Sequence, residues 1–474
     1  MNGKMLISKE IKDVSFPSQL DYSNTENNYY SSILNKKLYP YNNNQYFRPN
    51  QKIIFKIPTY YNSFIDKSEL YMKFNVNITG ETTVANRGIA CDLGGAGFIY
   101  NFKVYDDYTG EMLEEINDYP AIYSLYNDFI RNSINIITNG HSLSGESGSF
   151  PNVGISASCP SPVMQINFKR DTAGFINGNA VLCVPFYMSS IFGLWNNKLL
   201  PINYTNGLRI EIMLSQSQYN LSGFISSSMD NFFLTNDSDI LDYNYILSDV
   251  ELNVSYVEVL KEYLYKLPQH IFIHSTFIRN YKYINRIGVN NTQITLQIPG
   301  GLSKIKSILL FFRQTNQINN NRSFIISSRY RFNAQNFQCK IGNNYVFEKP
   351  LNSSFSFNTS GTAIYNYSEF FAELKKSLIH SFDFYSGSSV NGSNYALNNY
   401  DDIATFTDVG KFAIGFDLSP FFIENSGYSV SNQQDIIITG NLSYSSPVDV
   451  LCDIYIIYHK NIYFNNDIKK ISTV

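Results

Sequence analysis

Apolar and polar residues alternate with a period of two along most of this chain, in short runs broken by Pro, Gly and Asn. KIIFKIP, from Lys52, is a short strand closed by Pro58. SELYMKFNVNI, from Ser68, places Leu70, Met72, Phe74 and Val76 on one face, as a half-buried strand does. IYNFKVYDDYTGEML reads as two strands around the turn Asp107-Tyr108-Thr109-Gly110. The period then changes. In NDYPAIYSLYNDFIRN, Asp118 ahead of Pro120 marks a helix start, and Ile122, Leu125, Tyr126 and Phe129 recur at helical spacing. From Val181 to Ser215 runs VLCVPFYMSSIFGLWNNKLLPINYTNGLRIEIMLS, which predicts a strand ending on Pro185 and an aromatic loop with Phe186, Phe192 and Trp195. A Leu200-Pro201 corner follows, then a strand in which Leu208, Ile210, Ile212 and Leu214 alternate with Arg209, Glu211 and Met213. ILSDVELNVSYVEVL closes this half, with Val250, Leu252, Val254 and Tyr256 on one face.

The second half repeats the order. TQITLQIP ends on Pro299, KSILLFFRQ follows, and RFNAQNFQCKIGNNYVFEKPL places a hairpin with a Gly342-Asn343 turn. YNYSEFFAELKKSLIHSF is a second helix with Phe370, Phe371, Leu374 and Leu378 on its face. Next comes a strand with an aromatic turn at Pro420, Phe421 and Phe422, then another strand, and DVLCDIYIIYHKNIYF ends the unit. A shared order of this kind predicts a duplicated domain rather than the short, numerous units of a solenoid. With about eight strands per unit and one short helix, the expected fold is all-β: two tandem eight-stranded antiparallel jelly rolls with short helices in loops. The expected division is a polar arm over 1–49, a first jelly roll over 50–262, a linker over 263–289 and a second jelly roll over 290–474. Polar stretches at Asn132–Ser161 and Ser226–Ser238 read as surface loops.

Composition narrows the function. Of 474 residues, 44% are hydrophobic and 16% charged, which suits a folded chain and excludes a disordered one. A net charge of -3 argues against neutralising a polyanion, and no sequence-specific contact with nucleic acid is expected. The five cysteines, Cys91, Cys159, Cys183, Cys339 and Cys452, lie far apart with no CxxC pair and read as free thiols. The opening MNGKMLISKEIKDVSF lacks the apolar core of a signal peptide, so secretion by that route is not expected.

Motifs that could carry chemistry are weak. GHSLSG, from Gly140, resembles a nucleophile elbow but has Ser144 where the strained turn needs Gly. LGGAGF, from Leu93, lacks the glycine spacing of a dinucleotide loop. His270 and His274 share a strand face without a third ligand. Asp106-Asp107, Glu114-Glu115 and Asp401-Asp402 read as solvated turns before calcium sites. No catalytic, cofactor-binding or metal-ligating residue is assigned, and the chain is expected not to be an enzyme.

The passage Val184-Pro185-Phe186 with Ser189-Ser190, then Leu200-Pro201 and Leu208-Arg209-Ile210, resembles the crossover of double jelly-roll major capsid proteins of eukaryotic double-stranded DNA viruses and virophages. GGAGFIYNFKVYDDYTGEMLEEINDY resembles a second recurring passage of that family. The resemblance implies a virion structural protein, assembled inside the host cell, whose homotrimers form pseudohexagonal capsomers of an icosahedral shell. It also implies penton and minor capsid proteins as partners; no membrane contact is assigned. Pro185, Phe186, Phe192, Trp195, Pro201, Pro420, Phe421 and Phe422 are then expected at the crossovers or interfaces. The alternatives are a minor capsid protein, a carbohydrate- or receptor-binding sandwich, or a sandwich enzyme.

Overall fold

The computed structural model describes residues 30–82, 87–91, 93–129, 167–169, 171–193, 198–228, 231–234, 241–289, 292–302, 304–315, 326, 328–357, 363–382, 395, 410–419, 427–430 and 434–473. In the first half the main strands are β1 (Tyr30–Leu38), β2 (Lys52–Ile57), β3 (Ser63–Glu81), β4 (Ile99–Asp106) and β5 (Met112–Asn117). Helix α1 (Tyr119–Phe129) follows, then β6 (Phe175–Pro185), β7 (Leu208–Leu214) and β8 (Leu241–Val259). In the second half they are β9 (His270–Ile287), β10 (Thr292–Ile298), β11 (Ile305–Gln314), β12 (Gln335–Ile341) and β13 (Asn344–Tyr345). Helix α2 (Ser368–Phe382) precedes β14 (Ile414–Asp417), β15 (Ile436–Leu442) and β16 (Val448–Asn465).

Each half is a sandwich of two antiparallel sheets. The first pairs its strands as β1-β8-β3-β6 and β2-β7-β4-β5. The second pairs them as β9-β16-β11-β14 and β10-β15-β12-β13. Adding eight to each strand number of the first sandwich gives the second, so the duplication holds strand for strand. Alternation places the core as expected. Leu208, Ile210, Ile212 and Leu214 of β7 are buried, and so are Leu70, Met72, Phe74 and Val76 of β3. Both turns carry the left-handed glycine their hairpins need, Gly110 at φ 71° and Gly342 at φ 57°.

Three expectations change. Tyr30–Leu38, read as part of a polar arm, is an edge strand that pairs with Leu252–Val259. The side chains of Ser32 to Asn35 are exposed on both faces, so this stretch has no alternation for a sequence to display. His270–Ile287, read as linker, is a strand paired along its whole length with β16. These two segments are the first strands of their respective sandwiches. Part of the polar stretch near Ser226 is also a hairpin, Leu221–Ser228 with Asn231–Leu234, in a small extra sheet with Arg87–Cys91 and Asn167–Lys169. The stretch Asn132–Ser161 lies outside the described residues.

The run VLCDIYIIY of β16 is apolar on both faces because both are covered. One face meets the core of its own sandwich, through Cys452, Ile454 and Ile456. The other carries Asp453 and Tyr455 and turns toward the first sandwich. Helix α2 lies close on β14: a Cβ on Gly415 would fall 2.5 Å from Ser377 Oγ and 2.7 Å from Leu374 Cα. Gly415→Ala is therefore expected to lift the helix and cost about 1–3 kcal/mol. Gly288→Ala, with nothing within 4 Å of the new methyl, should be silent. Urea unfolding of the two variants is the check.

Candidate functional site at the seam between the sandwiches

Asp118 lies one residue ahead of α1, fully buried, at φ 52°. That conformation is uncommon for a residue with a side chain, and it is tolerated best by Asn and Asp. The carboxylate faces the second sandwich. Lys282 Nζ of β9 is 2.6 Å away and Arg313 Nη2 of β11 is 2.7 Å away. The Tyr219 hydroxyl donates to the same carboxylate. Arg313 reaches on with Nε, 2.7 Å from Asp453, and with Nη1, 2.8 Å from Tyr219 Oη. Tyr455 donates to the Asp118 carbonyl at 3.1 Å. Two cations and two carboxylates thus close a neutral group across the seam. Burial by itself raises the Asp118 carboxyl, but Arg313 and Lys282 hold it well below the usual carboxylate range. Burial pushes Asp453 up, against the pull of Arg313 and Lys282.

A second buried pair sits at the other end of the helix. Arg329 pairs with Asp128 and donates from Nη1 to Ser124 Oγ at 2.6 Å, while Lys411 Nζ lies 3.0 Å from Asp128. Cations are favoured at that end by the helix dipole as well as by the carboxylate.

The crossover after β6 is held by Glu114 of β5. Its buried carboxylate accepts from Ser189 Oγ at 2.6 Å and from the backbone N–H groups of Ser190 and Ile191. Burial raises Glu114, and these donors pull it back. Ser275 of β9 donates to the Ser190 carbonyl, tying the crossover to the second sandwich. At the far edge, Tyr204 donates to the Pro268 carbonyl at 2.7 Å and Lys469 to the Asn203 carbonyl at 2.8 Å.

Of the candidate residues from the sequence, Pro185, Phe186, Phe192 and Pro201 lie among the described residues. Pro185 ends β6 half-buried, and Phe186 and Phe192 are buried, with the Phe186 ring 4.9 Å from Phe102. Pro201 leads into a single 3-10 turn, Ile202–Tyr204, whose tyrosine makes the Pro268 contact. Trp195, Pro420, Phe421, Phe422, the GHSLSG motif and Asp401-Asp402 lie outside the described residues. His270 and His274 bond to Tyr463 and Asn461. Asp106 accepts from its own turn, Asp107 meets Lys56 at 3.5 Å and Glu115 meets Lys103 at 2.7 Å. Among the described residues no group of three His, Cys, Asp or Glu side chains is arranged to hold a metal. Burial raises the Cys339 and Cys452 thiols to about 12, which keeps them protonated.

Sequence reading missed the charges that close the seam. Asp118 reads from sequence only as a helix start, and Lys282 has no motif around it. The signal was present in SILLFFRQ and VLCDIYII, each a single charge inside an apolar strand.

Neither a protein-family model nor a curated protein matches this sequence. Solved structures do. A chain of the Sputnik virophage is similar at TM-score 0.60 and 12% identity, over 97% of this chain and 92% of that one. The mavirus major capsid protein is similar at TM-score 0.55 and 10% identity, over 97% and 95%. A chain of the PBCV-1 virus capsid is similar at TM-score 0.53 and 8% identity, over 96% and 99%. The fold is a double jelly roll. Both jelly rolls and the seam between them fall within the matched length.

Removing one member of the seam group leaves its partners buried and unpaired. Arg313→Met is therefore expected to cost about 3–5 kcal/mol, read by urea unfolding. Two groups that the fold lowers make stability fall on acidification. Asp118 is held below its unfolded value, so it stabilises above about pH 4, an effect lost as the pH falls through the carboxylate range. His459 is lowered to about 3 by burial, then by Lys306, His274 and Lys304. It stabilises above about pH 6.5, and that is lost below, as the unfolded chain takes up a proton that the fold refuses. Urea midpoints should fall in two stages on acidification. His459→Phe should remove the upper stage and Asp118→Asn the lower one.

Proposed function

We propose that this chain is the major capsid protein of a double-stranded DNA virus or virophage. Three copies form a pseudohexagonal capsomer of six jelly rolls, and capsomers tile an icosahedral shell. The observation that carries the reading is the whole-length likeness of both jelly rolls, in one chain and one order, to the mavirus major capsid protein. The packing within the chain suits the role. One jelly roll meets the next head to tail, through different surfaces on each, and contacts of that kind close into rings when repeated. Penton and minor capsid proteins are the further partners, and assembly takes place inside the host cell. The near-neutral charge of -3 suits a shell that leaves genome condensation to other components.

Light scattering of the purified chain should give the mass of three chains, and negative-stain microscopy should show six-lobed rings and, with partners, regular particles. A monomer that shows no association at any salt or concentration would refute the proposal. Glycan binding by that monomer would favour a lectin-like sandwich instead.

A further inference from the structure

A cavity of about 250 Å³ opens between the two jelly rolls, beside the charged group of the seam. Among the described residues that line it, the charged ones are Lys282 of β9 and Arg313 of β11, both cations. Neither Asp118 nor Asp453 reaches its wall. Arg313 is 2% exposed and lies deep, whereas Lys282 is 29% exposed. Tyr100, Tyr219 and Leu451 supply apolar wall, and the exposed amides of Asn50 and Gln216 stand at the mouth. The Tyr100 ring is edge-on to Tyr219 at 5.6 Å, with the Lys282 amine 5.5 Å from its centre.

The two cations are not used up by the seam. A guanidinium carries five N–H groups and an ammonium three. Arg313 gives Nε to Asp453, one N–H of Nη1 to Tyr219 and one of Nη2 to Asp118. Among the described residues, one N–H on each terminal nitrogen is left over. Lys282 gives one N–H to Asp118 and keeps the rest. A buried cation with unused donors at a cavity wall is a site for an acceptor, and an anionic oxygen makes the strongest bonds there. The tyrosines and Leu451 ask for an apolar body behind that oxygen, since a bare inorganic ion would leave them against water. The volume lies below the usual range for drug-sized ligands, so the body is small.

Charge balance adds a condition. With both carboxylates ionised the seam group is neutral, so an incoming anion needs one more positive charge. Asp453 can provide it by taking a proton. Its Oδ1 has no hydrogen-bond partner among the described residues. A bare buried oxygen costs more on an anion than on a neutral acid. Burial pushes the Asp453 carboxyl up in the same direction. The charged groups that face it are Arg313 from β11, Lys282 from β9 and Asp118 from the turn ahead of α1. The Tyr219 and Tyr455 hydroxyls bond elsewhere, to Arg313 and to the Asp118 carbonyl. With a proton on Asp453 the group carries one positive charge, which a single anion in the cavity neutralises. A phosphate with two charges would not balance it.

We propose that this cavity binds a small organic carboxylate, its charge held by Lys282 and Arg313 and its apolar body by Tyr100, Tyr219 and Leu451. Binding takes up one proton, at Asp453. Both jelly rolls line the cavity, so the ligand fastens the seam. The site is complete within one chain and does not depend on the shell reading.

The test is isothermal titration calorimetry of the full chain with benzoate at constant ionic strength, with the melting temperature as a second readout. Benzoate should bind at least ~10-fold more tightly than benzamide, its uncharged analogue, because only the carboxylate makes charge-assisted bonds. Bound benzoate should raise the melting temperature. Its affinity should grow as the pH falls from about 8 to about 6, by up to ~10-fold per unit for one proton taken up. Asp453→Asn is neutral at every pH, so it should bind at about pH 8 as tightly as the unmodified chain does at about pH 6, with no pH dependence. Gln216→Trp changes an exposed residue at the mouth and should abolish binding while leaving the unliganded melting temperature unchanged. Equal binding of benzoate and benzamide, benzoate affinity unmoved by Gln216→Trp, or no binding or melting shift at either pH would overturn the site. An affinity that does not change with pH, or changes equally in Asp453→Asn, would overturn the role given to Asp453.

Discussion

The structure depends on closing four charges together across the seam, three of them out of water and Lys282 at its rim. Asp118, Lys282, Arg313 and Asp453 come from both jelly rolls, and each alone would face a desolvation cost of several kcal/mol. The cost is offset when they meet, and the hydroxyls of Tyr219 and Tyr455 add hydrogen bonds to Arg313 and to the Asp118 carbonyl. A slip of one residue along β16 would turn Asp453 into the apolar core and take one of its two carboxylates from Arg313. The group therefore selects one register and one mutual orientation of the two jelly rolls. Apolar contacts such as Phe311 against Tyr455 add area at the same seam without that selectivity.

This explains why two halves built from the same strand order differ in burial. In the second jelly roll β16 is covered on both faces from Val450 to Ile457, so it can be apolar almost throughout that run. The β1-β8-β3-β6 sheet of the first has one open face, and there β3 alternates strictly, with Tyr71, Lys73, Asn75 and Asn77 turned outward. A duplicated fold used head to tail must leave one such face open on its first member and one covering surface unused on its last.

Much of this was legible in the chain. Strand positions, the two hairpin turns, both helices and the duplication came from the spacing of apolar residues, with Gly110 and Gly342 marking the turns. Phe186 and Phe192 are both buried, as an aromatic cluster between strands has to be. The first strand of each jelly roll was not visible as such. Tyr30–Leu38 has adjacent Ile33 and Leu34 rather than alternation, and His270–Ile287 is buried without alternation at Ser275–Ile278 and half-open beyond it.

What the sequence by itself determined is local: where a period of two begins and ends, where a chain must turn, and that one order of elements occurs twice. Periodicity is a property of neighbours, so it survives without knowledge of the fold. Only the tertiary structure decided which lone charges were partners. Asp118 and Arg313 are 195 positions apart, and nothing near either one names the other. Their pairing follows from two jelly rolls packing in one way, and the desolvation that makes it matter does not exist until they do.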